Sequence, residues 1–140
     1  MERHGLLFAL LAAFLWGMAP VFEKLGLTKI SPLAGLTIRN IAITIAVLII
    51  ALFTNAGKEI IHADFKTVAY VVIGGIIAGL LGMWSYFEAL KHCEASRVAP
   101  IVGTYPLFAF IFAMIFLGET LTLQKGIGVL LVVGGVFLLG

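Results

Sequence analysis

The chain has 140 residues, of which 62% are hydrophobic and only 11% are charged. A soluble domain carries about 25% charged residues, so this composition excludes a soluble globular protein and indicates an integral membrane protein. The net charge of +2 is too small to favour nucleic acid as a partner, and the single cysteine, Cys93, excludes an intrachain disulfide.

Five apolar segments predict five transmembrane helices, because each segment can cross a hydrocarbon core of about 30 Å. The charged start before the first segment is similar to a signal peptide, but the apolar run continues to Phe22 without a small-x-small cleavage site. We therefore predict one all-α membrane domain over residues 1–140. Its helices are expected at about residues 6–27, 33–53, 67–90, 98–117 and 121–139.

Polar residues occur in the first two predicted helices near the same membrane surface. Trp16, Pro20 and Glu23 are four and three residues apart and share a helix face. Arg39 and Asn40 lie nearly two turns inside the second helix, where an unpaired charge costs about 3 kcal/mol. Two interpretations of each charge stay open: Glu23 lies at the interface or faces the interior, and Arg39 snorkels or is paired inward.

The polar stretch 55–66 is predicted to be a solvated connection, and its histidine lacks the partner ligands of a metal site. In the third helix, small residues and a tyrosine at spacings of four, three and four residues predict a packing seam. The seam consists of Gly75, Gly79, Gly82 and Tyr86. Trp84 and Glu88 share a second face of the same helix.

The fourth predicted helix contains two prolines, Pro100 and Pro106, each of which removes a backbone donor. In lipid the freed carbonyls must be satisfied by neighbouring groups or by water. Thr104 and Tyr105 lie beside this interruption. The segment is therefore predicted to form a packed or wet site rather than a plain anchor.

The turn before the fifth predicted helix carries residues typical of helix ends. Gly118 fits the end of the fourth helix. Glu119 is predicted to accept hydrogen bonds from the first amides of the fifth helix and so to lock this hairpin. Gly128 and Gly135 share a face of the fifth helix and predict a second packing seam.

Lysines and arginines are almost equally divided between the two sides of the predicted membrane. One side carries four of them, and the other carries four or, with the deeper Arg39, five. The positive-inside rule needs an excess on one side to fix the orientation. The balance indicates either dual insertion, which would give an antiparallel dimer of ten helices, or an orientation that is fixed by something else.

Polar residues inside the predicted membrane are concentrated towards one surface. Opposite charges at matched depth can neutralise each other, so Arg39 is expected to pair with Glu88 or Glu23. A polar pocket with aromatic walls fits a small amphipathic solute. The predicted cavity residues are Trp16, Glu23, Arg39, Asn40, Trp84, Tyr86, Glu88, Thr104 and Tyr105.

Short motifs along the chain resemble one known family. In order they are Trp16-Gly17, Pro20, Tyr86-x-x-Ala89-Leu90, Val98-Ala99-Pro100, Tyr105-Pro106, Leu117-Gly118-Glu119, Gln124 and Gly126. Their order and spacing resemble the EamA-type domain of the drug/metabolite transporter superfamily, and the single five-helix unit is similar to its five-spanner bacterial and archaeal branch. The resemblance implies that such units pair in inverted orientation to form a ten-helix transporter, with a second copy or a paralogue as partner. It also assigns Glu119 to a structural signature, together with Pro20, Pro100, Pro106 and Gly118.

The leading functional hypothesis is a secondary transporter of the plasma membrane that exports or exchanges a small metabolite or drug-like solute. It would work as a dimer by alternating access, without a metal or cofactor. One alternative is proton-coupled efflux like that of small multidrug-resistance proteins, which the late position of Glu23 in the first helix and the similar depth of Arg39 disfavour. Another is a non-transporting accessory or scaffold subunit, which would tolerate neutral residues at Arg39, Glu23 and Glu88. An enzyme is not expected, because the predicted membrane segments carry no clustered His, Cys or Asp.

Overall fold

The structure is a computed structural model that describes residues 3–118, 120 and 122–139. All regular structure in these residues is helical, which confirms the predicted all-α class. The helices are α1 (Arg3–Leu27), α2 (Pro32–Leu52), α3 (Ala56–His62), α4 (Phe65–Gly75), α5 (Met83–His92), α6 (Ala95–Val102), α7 (Tyr105–Leu117) and α8 (Leu123–Leu139). A π-helical segment, Ile76–Gly82, joins α4 to α5 without a break.

The helices agree with a five-helix membrane unit. Among the described residues, four segments are long and apolar enough to cross a membrane: His4–Leu27, Pro32–Leu52, Phe65–His92 and Ala95–Leu117. The fifth predicted helix corresponds to α8, which is apolar and has 17 residues. At about 1.5 Å per residue α8 is about 25 Å long, and its length lies at the lower end of the range for a membrane helix.

The described residues form two compact units. The first, Val21–His92, will be called the central unit, and the second comprises the described residues before and after it. In the central unit α2 packs against α5, and in the second unit α8 packs against α6 and α7. The buried apolar side chains of the central unit are Leu27, Pro32, Leu36, Phe87 and Leu90, and those of the second unit include Pro20 and Val98.

Side-chain caps fix the starts of two helices in the central unit. Ser31 precedes Pro32, which is the first residue of α2, and the Ser31 hydroxyl accepts a hydrogen bond from the Ala34 amide at 3.3 Å. At the start of α4 the Asp64 carboxylate accepts hydrogen bonds from Thr67, at 3.1 Å from its amide and 2.5 Å from its hydroxyl. Both caps satisfy amides that have no partner inside the helix.

The prediction of a plain connection over 55–66 is incomplete. Residues Ala56–His62 form the short helix α3, which packs against α2. Proline is absent from this segment and glycine occurs once, so the sequence does not prevent a helical turn. Ile60 and Ile61 on this helix are exposed.

The predicted glycine seams are not formed inside either unit. A Cβ atom built on Gly75, Gly79, Gly128 or Gly135 would meet no atom within 4 Å. Regular spacing of small residues permits close packing of helices but does not supply the partner helix. The third predicted helix instead winds as a π-helix over Ile76–Gly82, a geometry that glycine spacing does not predict.

The interruption predicted in the fourth helix is confirmed. Gly103 and Thr104 separate α6 from α7, with Pro100 inside α6 and Pro106 in the first turn of α7. Gly118 ends α7 with a φ of 65°, which confirms the predicted helix end. Glu119, the predicted lock of the following hairpin, lies outside the described residues.

Candidate functional site

An ion pair lies within the membrane-spanning segments of the central unit. The Nε atom of Arg39 lies 3.4 Å from the Oε1 atom of Glu23, and the side chains of these residues are 35% and 15% exposed. The last turns of α1 carry Glu23, and the second turn of α2 carries Arg39. The expectation that Arg39 is paired is confirmed, and Glu23 is its partner. The Oε2 atom of Glu88 instead lies 3.8 Å from the Nε2 atom of His92 on the same helix.

Tyr86 on α5 adds a hydroxyl group near this ion pair. Its side chain is half-buried and lies within electrostatic reach of Glu23. Asn40 follows Arg39 on α2 and is also half-buried, whereas Trp84 is 45% exposed. The structure therefore brings a carboxylate, a guanidinium and a phenol together at one end of the central unit.

Three predicted cavity residues belong to the second unit. Trp16 on α1 and Tyr105 on α7 are exposed. Thr104 lies between α6 and α7, and its hydroxyl donates to the Ile101 carbonyl at 2.7 Å. The Ile101 carbonyl also accepts a hydrogen bond from the Thr104 amide at 3.1 Å, so the hydroxyl bond reinforces the turn in which the proline-containing α6 ends. The membership of these residues in a substrate cavity stays a prediction.

Two lysines tie the ends of α1 and α5 together, and sequence reasoning missed this arrangement. The ammonium of Lys24 on α1 donates to the Leu90 carbonyl of α5. The ammonium of Lys91 on α5 donates to the Leu27 carbonyl of α1 and, at 2.9 Å, to the Ile30 carbonyl. Each lysine thus satisfies carbonyls that have no partner at the end of the other helix, where the helix dipole is negative. The detectable signal was a lysine in the last turn of both helices.

An apolar cluster lies beneath these polar contacts. Leu27, Leu36, Phe87 and Leu90 are each at most 3% exposed. Gly35 allows the closest approach in this cluster, because a Cβ atom there would lie 3.0 Å from Leu27 Cδ2. Burial of these side chains fixes the ends of α1, α2 and α5 and so holds the ion pair in place.

A partly open cavity of about 240 Å³ lies at the same end of the central unit. Its lining residues are Lys24, Leu27, Thr28, Leu90 and Lys91. None of the predicted cavity residues belongs to this lining. The substrate cavity around Arg39 and Glu23 stays a prediction.

Comparison with known proteins agrees with a membrane transporter. Residues 3–140 match the EamA-like transporter family. A protein of Sinorhizobium sp. named as an uncharacterized transporter is 30% identical over 99% of this chain and 98% of its own length. An uncharacterized protein of Methanocaldococcus jannaschii is 33% identical over 96% of this chain and 95% of its own length. No solved structure gives a significant match.

Longer relatives match this chain with about half of their length. A Salmonella typhimurium protein named as a probable amino-acid metabolite efflux pump is 26% identical over 96% of this chain and 47% of its own length. The family match and the apolar helices confirm a multi-pass transporter of the plasma membrane. The chain belongs to the EamA-like transporter family.

Proposed function

We propose that this protein is a secondary transporter that exports or exchanges a small zwitterionic metabolite through a site built on Arg39 and Glu23. Two copies of the five-helix unit form the transporter, which works by alternating access. The observation that carries the proposal is the ion pair between α1 and α2, inside segments that are predominantly apolar. Ionisable groups at such positions are costly in a bilayer and are functional candidates by default.

The pair suits a solute that carries both charges. Its N–O distance of 3.4 Å exceeds the 2.7–2.9 Å of a short charge-assisted bond, so the two side chains can exchange partners at a modest cost. A solute carboxylate would then bind Arg39 and a solute ammonium would bind Glu23. The complex remains neutral, which limits the desolvation penalty inside the membrane. The hydroxyl of Tyr86 lies within electrostatic reach of Glu23 and would add a further polar group to the site.

Two features of the relatives support this proposal. The name of the Salmonella typhimurium relative refers to amino-acid metabolites, and amino acids themselves are zwitterions. That relative and an uncharacterized transporter of Archaeoglobus fulgidus each match this chain with 47% of their length. Their remaining length suffices for a second unit of similar size. Pairing of two copies of the present unit would likewise give two units, with ten membrane helices in total.

Transport can be tested with proteoliposomes that contain the purified chain. Vesicles loaded with a mixture of unlabelled amino acids should accumulate an isotope-labelled amino acid by counterflow. Arg39→Ala and Glu23→Gln should abolish accumulation, whereas Lys66→Ala in the first turn of α4 should leave it unchanged. Failure of every amino acid to exceed protein-free vesicles would overturn the zwitterion assignment. Accumulation at the wild-type level in both Arg39→Ala and Glu23→Gln would remove the ion pair from the mechanism.

The orientation of the unit can be tested by labelling single cysteines in intact cells. Lys29→Cys and Lys58→Cys, each in a Cys93→Ala background, place reporters at opposite ends of α2. Labelling of both reporters from outside the cell would support dual insertion and an antiparallel dimer. Labelling of only one reporter would contradict dual insertion and would favour a parallel assembly or a paralogue of opposite orientation.

The same ion pair disfavours a site for lipophilic cations. Such a site requires an acidic side chain that is available to a cation, whereas Glu23 lies 3.4 Å from the Arg39 guanidinium. The wild-type protein should therefore give no protection against ethidium. A non-transporting subunit would instead retain its cellular role when both charges are neutralised.

A further inference from the structure

We propose that the cavity between the ends of α1 and α5 binds an oxyanion, either the phosphate of an anionic lipid headgroup or free phosphate. The cavity walls contain Lys24 and Lys91 but neither member of the Arg39–Glu23 pair. The proposal therefore adds a second binding site and does not depend on the transported solute.

The donors of this cavity are lysine ammonium groups. An ammonium has three N–H donors, and the described contacts of Lys91 use two of them, for the carbonyls of Leu27 and Ile30. Its third donor can therefore bind an oxyanion in the cavity. The Thr28 hydroxyl donates its proton to the Leu25 carbonyl at 2.7 Å. The donors available to an oxyanion are therefore those of the lysines.

The charges around the cavity favour an anion. None of the five lining residues is acidic. The nearest carboxylates in sequence lie beside other basic side chains, Glu23 beside Arg39, Glu88 beside His92 and Glu94 beside Arg97. The contacts of Lys24 and Lys91 to the carbonyls at the helix ends also offset the negative ends of both helix dipoles. An oxyanion therefore meets two ammonium groups without a carboxylate on the wall.

The position and volume of the cavity suit a phosphate group. The cavity lies at the last turns of α1 and α5, which are the ends of two apolar spans and therefore lie at headgroup level. Its volume of about 240 Å³ corresponds to about eight water volumes of about 30 Å³. This space holds a phosphate with part of its hydration. Basic pockets between membrane helices are typical sites for anionic headgroups.

The experiment compares two probes on the full chain. Native mass spectrometry would count phosphatidylglycerol adducts after purification from mixed micelles of phosphatidylglycerol and phosphatidylcholine. Calorimetry in neutral detergent would measure the binding of inorganic phosphate. Lys91→Met should weaken binding about fivefold, as expected for loss of one lysine near a membrane surface. Lys91→Arg should keep binding close to wild type, and Lys58→Met in α3 is the matched control that should change nothing.

The two probes identify the source of the phosphate. Selective phosphatidylglycerol adducts without phosphate binding support the lipid headgroup, and phosphate binding without lipid selectivity supports the free anion. Should Lys91→Met lose its helical circular dichroism, Thr28→Glu replaces it, because this change adds a carboxylate to the wall and keeps both lysines. Binding that is equal in the wild type and in the folded cavity variant, or that falls equally in Lys58→Met, would overturn the proposal.

Discussion

The two ends of the central unit are held together in different ways. The tied end comprises Val21–Pro32, the first turns of α2 and Met83–His92. There an ion pair joins α1 to α2, and lysine–carbonyl bonds join α1 to α5. At the open end, Leu52–Phe65, the large apolar side chains of Leu52, Phe53 and Phe65 are between 81% and 89% exposed.

This difference shows which interactions specify helix association in a membrane protein. Lipid solvates an exposed phenylalanine as well as another helix does, so apolar side chains alone do not fix a contact. Backbone carbonyls at a helix end gain more from a specific partner, because lipid offers them none. The tied end combines such polar contacts with a buried apolar cluster. It is therefore the better-packed end of the unit.

The largest expected effect on the free energy of unfolding comes from removing the Phe87 side chain from the tied end. Phe87 is 3% exposed and contacts the region of Gly35. Phe87→Ala should lower the free energy of unfolding by about 3 kcal/mol, because it leaves a cavity that its neighbours cannot fill. Phe65→Ala is the matched control at the open end, where the side chain is 89% exposed, and it should cost less than about 0.5 kcal/mol.

Unfolding by sodium dodecyl sulfate in mixed micelles, followed by circular dichroism, measures both variants. Equal losses for Phe87→Ala and Phe65→Ala would contradict the distinction between the two ends. The tied end would then be no better packed than the open end.

The next effect concerns the ion pair. Arg39→Met leaves Glu23 without its cation and should cost about 2 kcal/mol, less than the 3–5 kcal/mol of a fully buried pair, since Arg39 is 35% exposed. Glu23→Gln in the same chain should restore part of the loss. A double-mutant cycle on the unfolding free energies measures the coupling. A coupling energy of zero would show that the two charges interact only with solvent.

The sequence predicted the parts of this structure that depend on local chemistry. Pro100 and Pro106 predicted the interruption near Thr104, because proline removes a backbone donor wherever it occurs in a helix. Gly118 predicted a helix end for a similar local reason. The pairing of Arg39 also followed from depth, since an unpaired charge is costly in lipid.

Features that depend on tertiary contacts were not predictable in the same way. The lysine bonds from Lys24 and Lys91 need the ends of α1 and α5 to meet, which no single segment encodes. The choice of Glu23 over Glu88 as partner of Arg39 depends on which helix lies beside α2. The π-helix at Ile76–Gly82 has a glycine pattern that fits a packing seam equally well.

A smaller effect, with opposite signs in two variants, tests close packing at the tied end. In Gly35→Ala the new Cβ atom would lie 3.0 Å from Leu27 Cδ2 and 3.4 Å from Phe87 Cε2. The crowding should cost about 1 kcal/mol, the lower end for overpacking, because the ends of side chains can shift. Gly74→Ala in α4, where a Cβ atom meets nothing within 4 Å, should instead stabilise by up to about 1 kcal/mol. Stabilisation by both substitutions would show that the tied end is loosely packed.

The smallest effect lies at the open end, where the Asp64 carboxylate caps α4. Hydrogen bonds from the hydroxyl and the amide of Thr67 hold the pKa of Asp64 below its ordinary value. A lowered pKa in the folded state means that this contribution to stability is complete above the unfolded value of about 3.9 and is lost as the pH falls through the folded value. Asp64→Asn can still accept these bonds but does not titrate.

The difference in unfolding free energy between wild type and Asp64→Asn should therefore be constant from about pH 5 to 8 and should shrink below about pH 4. Thr67→Val in the wild-type chain removes the hydroxyl donor, so the pKa of Asp64 followed by carboxyl NMR should rise towards its ordinary value. A difference that grows as the pH falls would have the wrong sign for a lowered pKa. In that case the cap would not stabilise α4 through its charge, and the open end would lack even this local polar anchor.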